Sequence, residues 1–218
     1  MTNRSLIVFG ARGFGQEVYQ YAVDTLIAGM RLQPAGFADD KVGSSAEQIG
    51  SEVSWHSIDE LSYIQDSDCV IAVRDPAARR AISARLVSMG HSPFSVVHPT
   101  AWISHNASIG IGAVIAPFAS INHTGVLGAN SALNAYASIG HDAGAEDHCV
   151  IPPHATLNGG AQLGERGFLG SHASLLLGSV IGSSSKVSAR VAVQENAPPG
   201  SLVVDAKAKH RVILAVEG

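Results

Sequence analysis

The chain has 218 residues, enough for one large or two small domains. Its formal net charge is −4 and only 15% of its residues are charged, which excludes the basic footprint of a nucleic-acid-binding protein. The N-terminal stretch lacks the apolar core of a signal peptide, and no apolar run is long enough to span a membrane. Cys69 and Cys149 have no partner motif, so we expect reduced, buried thiols and a cytoplasmic location.

Residues 1–95 alternate short apolar runs with helical patterns, which is typical of a small parallel sheet of the Rossmann type. The predicted elements are a strand over Ser5–Gly10, a helix from Gln16 to about Ala28, a strand over Pro34–Asp40, a strand over Asp68–Val73, and a helix from Asp75-Pro76 to about Met89. We interpret this region as an α/β half-Rossmann domain that ends between Pro93 and Pro99.

A glycine-rich turn, Gly10-Ala-Arg-Gly13-Phe-Gly15, lies between the first strand and the first helix. Its spacing differs from the dinucleotide fingerprint, but a glycine turn that opens a helix offers backbone N–H groups to phosphate. Asp39 and Asp40 end the next strand, where an acid can accept hydrogen bonds from a ribose or a base. The glycines are also compatible with a purely structural role in close strand-to-helix packing. The small size of the unit favours a mononucleotide or a nucleotide-linked sugar over full NAD.

The rest of the chain, residues 96–218, is dominated by a six-residue repeat. Seventeen positions spaced six apart run from Val97 to Val193, and all except Ala145 are Leu, Ile or Val. A second column, four residues after each of the first, is nearly all small, from Ala101 to Ser185. A hexapeptide period predicts an all-β, left-handed parallel β-helix whose lumen holds the aliphatic column.

The period also indicates where functional groups can lie on the β-helix. Three hexapeptides close a coil of 18 residues, so the seventeen repeats predict about five and a half coils stacked at roughly 4.8 Å. Because no hexapeptide carries an insertion, we expect the functional groups on the outer wall, where subunits meet. Because this wall has small residues and few charges, we expect the β-helices of several subunits to associate side by side. A ring of three subunits is the simplest closed assembly that such a contact can form.

Histidines recur at the coil spacing. His105, His123 and His141 are 18 residues apart and should stack in one column. Only His141 is followed by an acid, Asp142, and a carboxylate beside an imidazole can fix its tautomer and raise its basicity. The spacing alone leaves open whether His141 is a general base or a surface residue.

The run from Ile139 to Gly182 resembles the left-handed β-helix acyltransferases that modify nucleotide-linked amino sugars or sialic acid. The glycine turn, the GFADD stretch and the AVRDPAARR stretch are also similar to that family, so the resemblance covers nearly the whole chain. Within the family it is closest to the GDP-perosamine N-acetyltransferases, followed by the UDP-4-amino-sugar N-acetyltransferases of the bacillosamine pathway. One departure is Val150, which stands where the family has a second histidine.

The resemblance implies a role for each matching position. His141 and Asp142 match the catalytic histidine and its acidic partner. The positions implied for the nucleotide sugar are Arg12, Gly13, Phe14, Asp39, Asp40, Arg74 and Asp75. The positions implied for acetyl-CoA are Gly159, Ser171 and Ala189, and no metal is implied.

These expectations describe a homotrimeric, acetyl-CoA-dependent N-acetyltransferase acting on a nucleotide-linked 4-amino-4,6-dideoxy sugar, GDP-perosamine foremost. The main alternative is O-acetylation of a sialic acid or another sugar. A γ-class carbonic anhydrase is a weaker alternative because its His-x₄-His pair is absent from the sequence. A non-catalytic nucleotide-binding scaffold also remains open.

Overall fold

The computed structural model describes residues 4–27, 30–40, 54–57, 67–91 and 93–204. No helix among them is long and apolar enough to cross a membrane. The α/β part contains these elements: β1 (Arg4–Phe9), α1 (Gly13–Asp24), β2 (Leu26–Ile27), β3 (Met30–Ala38), β4 (Ser54–His56), β5 (Ser67–Ile71) and α2 (Pro76–Ser88).

Strand β1 lies at the centre of the α/β sheet. It pairs in parallel with β3 on one side and with β5 on the other, while β2 pairs antiparallel with β3 and β4 parallel with it. The carboxyl ends of β1, β3 and β5 therefore meet at one edge of the sheet. This edge is where parallel α/β sheets bind their ligands.

Helix α1 differs from its predicted bounds at both ends. It begins at Gly13, three residues before the predicted start, so two of the glycines lie in its first turn. It ends at Asp24, and the predicted last turn is replaced by Thr25 and β2. The Thr25 hydroxyl is within hydrogen-bond distance of the carbonyls of Tyr21 and Val97, at 2.6 and 3.1 Å. The second contact spans 72 residues, so the local sequence could not reveal this helix end.

The second part is a parallel β-helix, as the hexapeptide period predicts. Its strands are two residues long and form three stacked sheets. They are Val96–Val97, Trp102–Ile103, Ser108–Ile109, Val114–Ile115, Ser120–Ile121, Val126–Leu127, Ala132–Leu133, Ser138–Ile139, Gly144–Ala145, Val150–Ile151, Thr156–Leu157, Gln162–Leu163, Phe168–Leu169, Ser174–Leu175, Val180–Ile181, Lys186–Val187, Ala192–Val193 and Leu202–Val203, here β6 to β23.

The lumen is filled by the second residue of each strand together with the small residue that follows the turn. Ile121, Leu127, Leu133 and Ile139 are fully buried in this core. From Gly112 to Arg190, the residue before each small position adopts a left-handed conformation, as at Asp142 with φ 57°. Each of these residues turns a corner of the triangular coil.

The β-helix continues beyond the periodic sequence. Val187 of β21 pairs with Val203 of β23, which is 16 residues away instead of 18. The shorter last coil breaks the six-residue register after Val193, and Ala197 forms a bridge with Ile181 within it. The structure thus has one more strand than the period predicts.

Candidate active site

Two cavities contain most of the residues implied by the sequence. The first, of about 550 Å³, lies at the carboxyl edge of the α/β sheet. It is lined by residues that follow β1, β3 and β5 and by one face of α2. Its lining includes Arg12, Gly13, Phe14, Asp39, Asp40 and Arg74.

Glycine is required where β1 meets α1. Gly10 has φ +101°, a backbone conformation that L side chains rarely adopt, and a Cβ there would lie 2.7 Å from the carbonyl oxygen of Ala72. A Cβ at Gly15 would collide with the carbonyl of Gly10. These two glycines let α1 begin directly at the cavity, where the N–H groups of its first turn have no intrahelical acceptors.

Gly13 is different because a Cβ there would meet nothing within 4 Å. Its neighbour Arg12 is exposed at the N-cap position of α1. Packing within the domain therefore does not explain the glycine at this position, and Gly13 lines the cavity.

The two strand-end acids differ in their contacts. Asp39 accepts a hydrogen bond from the backbone N–H of Ala11 at 3.1 Å, which ties the glycine turn to the end of β3. Asp40 lies 3.3 Å from the guanidinium of Arg85 on α2, and both side chains are partly exposed. Both acids border the same cavity as the cations Arg12 and Arg74, so the rim combines charges of both signs.

Asp75 lies outside the lining of this cavity. Its Oδ1 accepts the backbone N–H of Ala78 at 2.9 Å, and Pro76 occupies the first helical position. Asp75 is thus the N-cap of α2, a role that its Asp-Pro sequence is typical of.

The second cavity is an open groove of about 910 Å³ on the wall of the β-helix, and it contains His141. Strands of one sheet (β7, β10, β13, β16, β19 and β22) and the turns that follow them form this wall. The lining residues are Trp102, Asn122, His123, Ser138, Gly140, His141, Leu157, Asn158, Gly159, Leu176 and Leu177.

His141 and Asp142 form a hydrogen-bonded pair at one corner of the β-helix. Nδ1 of His141 lies 2.9 Å from Oδ2 of Asp142, and both side chains are about two-thirds exposed, at 64% and 67%. An ionised carboxylate can only accept, so Nδ1 carries the proton and Nε2 is left as a base. The high exposure leaves Nε2 accessible to a substrate or to another subunit.

Thr124 supports this pair from the preceding coil. Its hydroxyl donates to Oδ1 of Asp142 at 2.6 Å and accepts the backbone N–H of Asp142 at 3.1 Å. The hydrogen bonds from Thr124 and His141 lower the pKa of Asp142 below its ordinary range. Thr124 is a residue of this site that no sequence motif indicates, although its position 18 residues before Asp142 places both in one column.

Gly159 occupies the same corner one coil after His141. A Cβ there would lie 2.5 Å from Nε2 of His141, so the missing side chain makes room for the imidazole. Ser171 and Ala189 share a different corner, as shown by the hydrogen bond from the N–H of Arg190 to the carbonyl of Ser171 at 3.0 Å. The groove face, with Ser174 in its strand β19, lies between these two corners.

Neither cysteine provides a reactive thiolate. Both are buried, and burial raises the pKa of Cys69 and of Cys149 to about 12. Within the described part of the chain, no group of three or more His, Cys, Asp or Glu side chains is placed to hold a metal ion. Val150, which stands at the position of the family's second histidine, is fully buried.

Known proteins resemble the chain in both parts. Residues 5–86 match the family described as the PglD N-terminal domain. The acetyltransferase domain of PglB from Neisseria gonorrhoeae is 28% identical with a TM-score of 0.83, and the match covers 95% of this chain and 99% of that chain. No curated protein matches the sequence.

Two further solved structures share the fold at lower identity. A histidine-to-asparagine mutant of perosamine N-acetyltransferase from Caulobacter crescentus, in complex with CoA and GDP-perosamine, is 24% identical with a TM-score of 0.83 over 94% of this chain and 95% of that one. WeeI from Acinetobacter baumannii is 20% identical with a TM-score of 0.74 over 95% and 99%. These matches confirm the predicted fold class, an α/β domain followed by a parallel β-helix. They also confirm the predicted resemblance to β-helix acetyltransferases.

Proposed function

We propose that this chain, which joins a PglD N-terminal domain to a β-helix as the sugar N-acetyltransferases do, transfers the acetyl group of acetyl-CoA to a nucleotide-linked sugar. The acceptor is the 4-amino group of a 4-amino-4,6-dideoxy sugar. GDP-perosamine is the first candidate and a UDP-linked sugar the second. The observation that carries the proposal is the hydrogen-bonded His141–Asp142 pair, which leaves a basic ring nitrogen in an open groove.

The α/β cavity supports the proposal that the acceptor sugar is bound through its nucleotide. The N-terminus of α1, with Arg12, Gly13 and Phe14, provides N–H groups and positive charge for the diphosphate. Asp39 and Asp40 accept hydrogen bonds from the nucleoside, and Arg74 adds a second cation at the rim. A volume of about 550 Å³ falls within the usual range of small-molecule sites.

The β-helix wall supports an extended second substrate. We assign backbone contacts with acetyl-CoA to Gly159, Ser171 and Ala189. These positions flank a face whose outward residues in the last coils are small and polar, such as Thr156 and Ser174. Perosamine N-acetyltransferase and the PglB acetyltransferase domain, which share this fold, bind CoA and acetyl-CoA, respectively.

The proposed reaction is acyl transfer through a tetrahedral intermediate. The sugar nitrogen attacks the thioester carbonyl, and Nε2 of His141 accepts the proton that the nitrogen loses. Backbone N–H groups near Gly159 stabilise the oxyanion. Collapse breaks the carbon–sulfur bond and releases the CoA thiolate. If the amine titrates near an α-amino group, at about 7.7–8.0, part of it arrives neutral and His141 chiefly orients it.

The wide exposure of His141 supports a site shared between copies of the chain. We assign a homotrimer in which the nucleotide sugar reaches from the α/β domain to the thioester on a neighbouring β-helix. The buried thiols fit a reducing compartment, and we assign the reaction to the cytoplasm.

The test is a screen of GDP-, UDP- and dTDP-linked 4-amino sugars for thiol release that depends on acetyl-CoA. We expect one nucleotide series to be acetylated at the amine, with the matching 4-hydroxy sugar as the control. Thiol release with the hydroxy sugar and none with the amine would favour O-acetylation instead. Absence of thiol release with every acceptor would reject the proposed function.

A further inference from the structure

Arg79 is a fully buried cation between the α/β domain and the β-helix. It lies on α2, its relative exposure is 0%, and among the described residues it is the largest side chain buried to this extent. Burial lowers the pKa of its guanidinium to about 9. A charged group is costly to bury unless its hydrogen bonds are satisfied, so its partners indicate why it is there.

The hydrogen bonds of Arg79 reach two separate backbone segments, while its Nη2 is buried without a hydrogen-bond partner among the described residues. Nη1 donates to the carbonyls of Ile71 at 2.8 Å and Val73 at 2.9 Å, where β5 ends. Nε donates to the carbonyl of Asn130 at 2.5 Å, at a corner of the β-helix. One planar guanidinium therefore joins the end of β5 to the β-helix, a geometry that the ammonium group of lysine cannot reproduce.

A second contact reinforces the same junction. Ser83 lies one turn after Arg79 on α2, and its hydroxyl accepts a hydrogen bond from Nδ2 of Asn130 at 3.0 Å. Asn130 is one of the left-handed corner residues, with φ 52°. Both side chains of α2 thus converge on a single corner of the β-helix.

The segment that Arg79 holds is part of the nucleotide cavity. Val73 and Arg74 line that cavity, whereas Arg79 itself does not. Arg79 is also the first of the two arginines that end the family-like stretch AVRDPAARR, which the proposed function otherwise uses only through Arg74. Because Arg79 holds the segment of Val73 and Arg74 from outside the cavity, it can affect a bound ligand only through that segment.

We propose that Arg79 is a positioning residue that ties the rim of the nucleotide-sugar cavity to the β-helix and thereby sets the position of the bound sugar nucleotide. The inference rests on the proposed function. It assigns a role in substrate presentation to a residue that does not touch the substrate. It concerns the acceptor only, because the groove that contains His141 has no lining residue from α2 or β5.

The test compares Arg79→Lys with Arg80→Lys, a matched substitution at the next position of the same helix. The Arg80 side chain is 56% exposed and lies 3.7 Å from Glu165, so its replacement should change little. Equilibrium binding of GDP and of UDP is measured together with the KM values for the sugar nucleotide and for acetyl-CoA. For Arg79→Lys we expect the dissociation constant of the preferred nucleotide and the sugar-nucleotide KM to rise about tenfold.

The KM for acetyl-CoA separates positioning from poor folding. A smaller folded fraction lowers kcat but changes neither KM, so a selective rise in the sugar-nucleotide KM cannot arise from lost protein. Asn130→Gly keeps the carbonyl that Arg79 uses and the positive φ but removes the contact with Ser83, so we expect a smaller rise in the dissociation constant of the nucleotide than in Arg79→Lys. If Arg79→Lys does not yield folded protein, the neutral Arg79→Gln allows the same comparison.

Wild-type values for nucleotide binding and for both KM values in a folded Arg79 variant would overturn the inference and leave the proposed function intact. An equal rise in both KM values would also overturn it. If instead the wild type binds nucleotide but transfers no acetyl group, the proposed function fails while the binding comparison still tests Arg79.

Discussion

At the scale of single residues, a short chain of hydrogen bonds runs from Thr124 to Asp142 to His141 in the proposed catalytic site. Each of these residues can be replaced by another residue whose side chain keeps part of the original hydrogen bonding. Substitutions in this chain therefore separate orientation of the imidazole from its basicity.

Replacement of His141 by Ala removes both the base and its hydrogen bond, so we expect kcat/KM to fall about 10²-fold or more. Asn keeps a hydrogen-bonding side chain without imidazole basicity. If orientation dominates, His141→Asn retains clearly more activity than His141→Ala, and the acidic limb of the pH–rate profile persists because it reports the substrate amine. Equal loss in both variants would indicate an obligatory base. His105→Ala, in the same column two coils away, is the control and should be nearly silent.

The pKa of Asp142 gives a prediction with a definite sign. Its hydrogen bond from Thr124 lowers the pKa, so the carboxylate that orients His141 is present above the ordinary carboxyl pKa and is lost only as the pH falls through the lowered value. Thr124→Val removes the largest cause of this shift. We expect the pKa of the Asp142 carboxyl, followed by NMR titration, to rise toward its ordinary value in Thr124→Val, with little change in kcat/KM near pH 7. Thr124→Ser keeps the hydroxyl and should leave this pKa in place, and an unchanged pKa in the valine variant would contradict the assigned role of Thr124.

Gly159 tests whether the imidazole needs the space beside it. A methyl group at this position would displace the ring, because its Cβ would lie 2.5 Å from Nε2 of His141. We expect Gly159→Ala to lower kcat/KM at least about tenfold. Gly144→Ala is a suitable control, since a Cβ there meets only the flexible amide of Gln162. Equal activities of the two variants would show that the observed ring position is not needed.

At the scale of secondary-structure elements, the glycine turn and α1 form one wall of the proposed nucleotide cavity. The side chain introduced by Gly13→Val would enter open space, so the fold should tolerate it while the cavity narrows. We expect a higher sugar-nucleotide KM, an acetyl-CoA KM within about threefold of the wild type, and an unchanged melting temperature. Gln20→Val, on the exposed side of the same helix, is the control. A parallel rise in both KM values would disagree with a nucleotide site here.

The sequence pattern predicted elements best where the period was strict. The aliphatic column placed every strand from Val97 to Val193, and the 18-residue spacing put His141 and His123 at one corner. It failed where a distant contact decides the structure, as at Thr25, whose hydroxyl reaches Val97. It also failed for Arg79, because neither composition nor spacing indicates that a charged helix residue is fully buried between two domains.

At the scale of the whole molecule, the open groove predicts an assembly. Three chains of 22.5 kDa give a trimer of roughly 68 kDa if a heterologous contact closes into a ring. Light scattering at micromolar concentration should report this mass and retain it at the concentrations used in assays. A fully active monomer would contradict the placement of the site between subunits.

The coil repeat sets the distance between the α/β cavity and the groove that contains His141. Arg79 fixes the α/β domain to the corner at Asn130, while His141 sits on a later part of the same winding. An insertion of six residues between them would carry His141 to another corner, whereas an insertion of 18 would keep its corner and shift it by about 4.8 Å along the axis. The distance between Arg79 and His141 can therefore change only in steps of one coil if His141 is to keep its corner. Under the proposed function, the span between the two substrate sites must match a whole number of coils.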